Sequence, residues 1–175
     1  MEEIVLVNEK IKNFKIKLKG FKIIYFNDNN ALKTFNSILK KRKNNRIIVF
    51  DKNGFLPFLY FCKQKGICCS YALDKQIAKL STEHNNAHVM VLPLDFIKKD
   101  EIEQYIDNFL NSKFEGGRHL VRTKIMLEPW TSTNQGIKLS KNKKIIIACD
   151  HAAIALKQSI INYLLVKGYD VVDVG

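Results

Sequence analysis

Little in this 175-residue sequence points to a membrane, a metal or an exported, disulfide-bonded fold. No apolar run approaches the roughly 20 residues that span a bilayer. The N-terminus, Met1-Glu2-Glu3-Ile4-Val5-Leu6-Val7, has neither the basic flank nor the cleavage site of a signal peptide. A cytoplasmic protein with no membrane partner is expected. Cysteine is sparse: Cys62, Cys68, Cys69 and Cys149 include no CxxC pair, which argues against zinc and disulfides and for buried free thiols. No RNA-recognition sequence or zinc module gathers the basic residues. The net charge of +12 is instead spread through a Lys-, Asn- and Ile-rich chain, which disfavours nucleic acid as a partner. The same positive field would draw in a phosphorylated small molecule.

What the sequence does contain is a regular alternation of apolar runs. Residues 4–7, 21–26, 46–50, 67–71 and 88–92 read as strands, and 31–43, 55–64, 75–81 and 98–112 as helices. A lysine-rich, helix-compatible connection joins the first two strands. Leu32, Phe35, Ile38 and Leu39 mark the inner face of the first long helix, and Ile102, Tyr105, Ile106, Phe109 and Leu110 that of the last. This pattern with short connections predicts an α/β fold: a doubly wound, Rossmann-like parallel sheet of about five strands with helices on both faces. Residues 131–142 are polar and aperiodic and read as a linker. Residues 143–175 then outline strand, helix, strand, a unit too small to bury its own apolar faces. Its order of elements is similar to that of residues 4–26, a weak internal duplication.

Three groups of residues could carry chemistry. Ile145-Ile146-Ile147, typical of a strand buried on both faces, leads through Ala148 and Cys149 to Asp150 and His151. Carboxyl ends of parallel strands are where ligands bind, so Asp150 is a site candidate; equally, an Asp there caps the following helix. His84 and Asn85 fall in a polar stretch, 81–88, before a strand. Arg118 and Arg122 lie four residues apart in a segment with helical character over 118–126, and so share a face. Such a pair suits a phosphate, and a solvated basic patch is the plain alternative.

Together the stretches become recognisable. Ala78-Lys79-Leu80-Ser81-Thr82-Glu83-His84-Asn85-Asn86-Ala87-His88 and Phe114-Glu115-Gly116-Gly117-Arg118-His119-Leu120-Val121-Arg122 resemble the second half of the B-type ribose-5-phosphate isomerases and their relatives, the galactose-6-phosphate isomerases. Residues 145–175, with the Asp150-His151-Ala152 turn, resemble the beginning of the same family. The resemblance implies an aldose–ketose isomerase acting on a phosphorylated sugar through an enediol, without metal or organic cofactor. It implies that His84 and Asp150 move protons, that Asn85 contacts a substrate hydroxyl or the enediolate, and that His151, Arg118 and Arg122 hold the phosphate. It also implies a site shared between units, hence a homo-oligomer or a paralogous isomerase subunit as partner.

Two departures qualify that reading. Where the family's first strand ends in Asp-His, this chain has Val7-Asn8-Glu9. Where a Cys-Gly-Thr-Gly-type loop should supply the base and the amides that steady an enediolate, Phe50-Asp51-Lys52-Asn53-Gly54 stands, with only Gly54 in common. The expected organisation is therefore a degenerate isomerase-like domain at 1–130, a linker at 131–142 and the start of a second isomerase-like unit at 143–175. The parent arrangement is a tandem of two units, or one that has lost its remainder. The alternative function is a non-catalytic partner or regulatory subunit lacking its own catalytic loop.

Overall fold

Runs of Val, Ile and Phe place the strands. The computed structural model describes residues 3–11, 20–41, 45–127 and 144–175. Strands β1 (Glu3–Asn8), β2 (Phe21–Phe26), β3 (Ile47–Asp51), β4 (Cys69–Tyr71) and β5 (Val89–Pro93) form a single parallel sheet in the order β2-β1-β3-β5-β4. Helices α1 (Ala31–Lys41), α2 (Phe55–Cys62), α3 (Lys75–Asn85), α4 (Ile102–Asn111) and α5 (His119–Leu127) accompany it.

Side chains alternate across the sheet and so sort into two cores. Ile4, Leu6, Ile47, Val49, Val89 and Val91 pack with Ala31, Phe35 and Ile38 of α1 and Phe61 of α2. Val5, Ile48, Phe50, Met90 and Leu92 pack on the opposite face with Ala78 of α3 and with Ile102, Tyr105, Ile106 and Phe109 of α4. Central strands are thus buried on both faces, as a parallel sheet between helical layers requires. This is the doubly wound arrangement expected. The chain leaves β1 toward β2 on one side and leaves β3 toward β4 and β5 on the other. The switch point therefore lies between the carboxyl ends of β1 and β3, the default ligand crevice of such sheets.

Several local expectations are corrected. Helix α3 continues past 81 to Asn85, because the residues that look like breakers are satisfied within the packing: Ser81 Oγ donates to Ala78 O (2.9 Å) and buried Thr82 Oγ1 donates to Phe109 O (2.9 Å). Asn86, at φ 49°, then closes the helix in the left-handed conformation. Leu32 is exposed, not on the inner face of α1. Ala31, Phe35 and Ile38 carry the burial there, and Leu32 lies one step round the helix from Ala31. Strand β3 runs over Ile47–Asp51, one residue later at each end than the expected 46–50. Of the cysteines, Cys68 is buried, with its thiol pushed up to about 11, but Cys62 is exposed, and Cys69 and Cys149 are half-buried; all are free. The connection over 12–19, the continuation of α1 to 42–43 and the linker at 131–142 lie outside the described residues.

Gly54 has a strict conformational role. At φ +73°, a Cβ there would stand 2.8 Å from Val91 Cγ1 and 2.9 Å from Tyr71 Cε2. Left-handed strain and overpacking add, so Gly54→Ala is expected to destabilise the chain by about 2–3 kcal/mol in urea unfolding.

The chain divides into two compact units, Met1–Trp130 and Thr131–Gly175. In the second, β6 (Lys144–Ile147) pairs in parallel with β7 (Asp170–Asp173), connected by α6 (Ile154–Val166). The strand buried on both faces expected at 145–147 is not found: Ile146 is 64% exposed, and none of this unit's described residues is buried. One helix over two strands cannot cover both faces of that pair. Among the described residues, no helix is long and apolar enough to cross a membrane.

Candidate functional site

The switch-point crevice of the first unit is bridged by its own side chains. Asn8, at 3% exposure, donates from Nδ2 to Asp51 Oδ2 (2.6 Å), and its Oδ1 accepts from Lys10 N (2.9 Å). Asp51 Oδ1 accepts from Gly54 N (2.7 Å) and Asn53 N (3.1 Å). A cavity of about 350 Å³ remains beside this pair, lined by Lys10, Asp28, Lys52 and Phe55 among others. With three hydrogen bonds already accepted, Asp51 is built as a cap for the β3–α2 loop and is poorly disposed to act as a base.

A second cluster forms at the other edge. Parallel pairing of β4 and β5 makes α3 run back from the carboxyl edge, where Asp74 Oδ1 caps it through Ile77 N (2.7 Å), to the amino edge, where its last turn carries His84 and Asn85. The chain returns there after α4. Glu115 N donates to Glu83 O (2.9 Å), Gly116 and Gly117 adopt φ of 64° and 52°, and His119 opens α5. The His84 and His119 rings stack with centroids 4.3 Å apart and an interplanar angle of 13°. Arg122 Nη2 lies 2.9 Å from His119 Nδ1 and 3.4 Å from His84 O, and Arg118 Nε lies 3.4 Å from His119 Nε2. Glu115 Oε2 stands 3.4 Å from His119 Nε2 and 3.8 Å from His84 Nε2.

His84, Asn85 and Arg122, with Ser81, Ser70 and Tyr71, line a cavity of about 600 Å³. Arg118 joins the cluster through His119. Of the residues singled out in the sequence, these four converge in the first unit, with His84 and Asn85 in the last turn of a helix that runs into the polar stretch. Asp150 and His151 belong to the second unit, where both are exposed and Asp150 Oδ1 accepts from Ala152 N (2.9 Å), capping a short 3-10 turn, His151–Ala153. The capping alternative for Asp150 is realised, and its other carboxylate oxygen, without a hydrogen bond among the described residues, is compatible with a further role. His119 and Glu115 received no role from the sequence. The available signal was position, since His119 directly follows Arg118 and lies one turn before Arg122.

Electrostatics favour an anion here. Among the described residues, neither Arg118 nor Arg122 has a carboxylate within ion-pair distance, whereas exposed lysines such as Lys10 and Lys79 do. Burial, followed by the positive charge of His84, Arg118 and Arg122, holds His119 below its ordinary 6.5, with Glu115 opposing. Unfolded chains therefore bind more protons at this residue than the native state does. Stability is full above the unfolded value and is lost as pH falls through the lower native one. The drop in urea midpoint between about pH 7.5 and about pH 5 should be smaller in His119→Gln than in the wild type. His84, Glu115 and His119 place ligand atoms within 4.8 Å of one another, close enough to suggest a cation. The fit is poor, because stacked rings direct their nitrogen lone pairs in parallel planes and two guanidiniums touch His119.

The family described as Ribose/Galactose Isomerase matches residues 9–126. The chain belongs to this family. The galactose-6-phosphate isomerase subunit LacA of Clostridium acetobutylicum is 25% identical to it over 126 residues, 69% of this chain and 88% of that protein. The same subunit of Lactococcus lactis subsp. lactis is 26% identical over 125 residues, with the same coverages. The ribose 5-phosphate isomerase of Thermotoga maritima superposes with a TM-score of 0.58 at 25% identity, covering 71% of this chain and 97% of that one. The type B ribose 5-phosphate isomerase of Trypanosoma brucei reaches 0.59 at 18% identity, covering 73% and 98%, which bears on the fold alone. As a member of this sugar-phosphate isomerase family, the chain carries His84, Asn85, Arg118 and Arg122 inside the matched segment.

Proposed function

We propose that this chain is an aldose–ketose isomerase of sugar phosphates, of the ribose 5-phosphate/ribulose 5-phosphate or galactose 6-phosphate/tagatose 6-phosphate type, whose first unit supplies one half of a shared site. The observation that carries this reading is the amino-edge cluster. Two guanidiniums without carboxylate partners among the described residues gather on His119, whose ring stacks on His84, and one of them, Arg122, lines a cavity of about 600 Å³ together with His84 and Asn85. Arg118 and Arg122 hold the phosphate, His84 moves hydroxyl protons, and Asn85 contacts a hydroxyl or the enediolate. Asp150 and His151 belong to the complementary half, Asp150 in proton transfer and His151 on the phosphate, with residues 143–175 read as the start of a second isomerase-like unit.

The need for sharing is geometric. In the first unit the His84 cluster lies at the amino edge of the sheet, whereas the family's other half-site position lies at the carboxyl edge and is filled by the Asn8–Asp51 bridge. One sheet cannot bring its opposite edges onto one sugar, so a second copy or a paralogous subunit completes the site. Incubating the purified chain with ribose 5-phosphate, and separately with galactose 6-phosphate, should yield the corresponding ketose. No turnover with either sugar, alone or with a copurifying paralogue, would overturn the reading. Turnover only with the paralogue would make this chain a partner subunit.

A further inference from the structure

The proton-transfer role given to His84 requires one defined nitrogen to be free, and the cluster contains a device that selects it. Glu115 is the only carboxylate among the described residues within ion-pair distance of either stacked imidazole, and it contacts Nε2 of both, at 3.8 Å for His84 and 3.4 Å for His119. A backbone hydrogen bond from Glu115 N to Glu83 O (2.9 Å) ties its loop to the last turn of α3, so the carboxylate is held beside the ring it faces.

His119 has its own tautomer fixed. Its Nδ1 is 2.9 Å from Arg122 Nη2, a guanidinium that can only donate, so Nδ1 accepts and the proton of the neutral ring resides on Nε2, facing Glu115. The longer contact of Arg118 Nε to the same Nε2, at 3.4 Å, yields to this assignment. His84 presents its Nε2 to the same carboxylate, while its Nδ1 has no hydrogen bond among the described residues. The remaining charged groups are elsewhere on the ring's surroundings: Arg122 meets the His84 backbone carbonyl, and Lys79 is paired with Glu83 one turn back.

We propose that Glu115 is the positioning residue of this half-site: its carboxylate, 3.8 Å from Nε2 and so an electrostatic partner and not a hydrogen-bond acceptor at this distance, biases His84 toward the Nε2–H tautomer and leaves Nδ1 to exchange a proton with a hydroxyl of the bound sugar. The step balances within the pair. Nδ1 takes the hydroxyl proton, the resulting imidazolium is stabilised by the Glu115 carboxylate, and return of the proton to a sugar oxygen restores the starting tautomer. A carboxylate fixing a catalytic imidazole in this way is known to matter by orders of magnitude in rate. The inference rests on the isomerase reading for its chemistry, but its structural claim is independent of any substrate.

Long-range ¹H–¹⁵N correlation spectra of the full chain, wild type against Glu115→Ala and Glu115→Gln, test it directly. Wild type should show His84 protonated at Nε2. Glu115→Ala should show a tautomer mixture, and Glu115→Gln, which keeps an acceptor but loses the charge, should retain the wild-type tautomer. With sugar phosphate, Glu115→Ala should lose kcat by about tenfold or more with KM changed less than about twofold. An identical His84 tautomer in wild type and Glu115→Ala overturns the proposal even if turnover falls. A tautomer change on Glu115→Ala, together with a wild type that turns over no sugar, leaves the positioning role standing and removes the isomerase reading instead. Glu115 is about half exposed, with side-chain exposure of 52%, so these variants are expected to fold.

Discussion

Replacing Arg118 and Arg122 together by alanine is expected to weaken binding of ribose 5-phosphate or galactose 6-phosphate by about 100- to 1,000-fold. Each charge-assisted hydrogen bond to a phosphate oxygen contributes about 1.5–3 kcal/mol, and about 1.4 kcal/mol is a factor of ten in affinity. The loss lies at the low end of the sum because both arginines are exposed, so water and salt screen part of the gain. The guanidiniums are not simply two surface charges. His119, buried at 5% exposure, is in contact with both and sets where they stand. Arg118→Lys/Arg122→Lys should therefore recover only part of the loss, since an ammonium keeps the charge but not the fork that engages both the imidazole and a phosphate. Calorimetric titration of wild type and both double variants measures the effect. The same removal of positive charge should let the His119 pKa rise back toward its ordinary value, which imidazole NMR reads independently. Unchanged affinity in the alanine double variant would sink the phosphate role.

Much of the fold was legible because apolar patterning is a local property. Runs such as Ile47-Ile48-Val49-Phe50 and Val89-Met90-Val91-Leu92 are buried on both faces, and the amphipathic spacing of Ile102, Tyr105, Ile106 and Phe109 is reproduced residue by residue in α4. What local reading could not supply was tertiary. Ser81 and Thr82 look like a helix end until Thr82 finds the carbonyl of Phe109, 27 residues away. Three isoleucines in β6 read as a doubly buried strand, yet their environment depends on what covers the sheet, and a lone helix leaves Ile146 exposed. At the site, His84, Asn85, Arg118 and Arg122 stood out from residue type and spacing and took their roles from resemblance, and the structure brings them together. Glu115 and His119 escaped because their significance lies in a ring stack and a shared carboxylate, neither of which sequence spacing encodes. Asn8 was read only as a departure from a family pattern. Its pairing with Asp51, 43 residues on, turns that departure into a structural feature.

Asp51→Ala is expected to destabilise the first unit by about 3–5 kcal/mol, the largest single-residue effect on stability anticipated here. Asp51 is 6% exposed and its carboxylate accepts three hydrogen bonds, from Asn8 Nδ2, Asn53 N and Gly54 N. Truncation removes all three at once. It also leaves the Asn8 amide, at 3% exposure, buried without its acceptor, and the cost of an orphaned buried donor adds to that of the lost bonds. Loss of the two backbone bonds frees the loop that Gly54 turns, so the entry to α2 is no longer fixed. For a unit of this size the change corresponds to a melting-point drop of about 10–15 °C, readable by calorimetry. The double variant Asn8→Ala/Asp51→Ala should be less damaged than the sum of the two single changes, because removing both partners together leaves no unpaired amide. Full additivity would mean that Asn8 and Asp51 stabilise the crevice separately. A wild-type melting point in Asp51→Ala would mean that the bridge contributes nothing to the fold. The carboxyl-edge crevice would then be free for chemistry, and the geometric reason for seeking the other half of the site in a second copy or paralogue would fall with it.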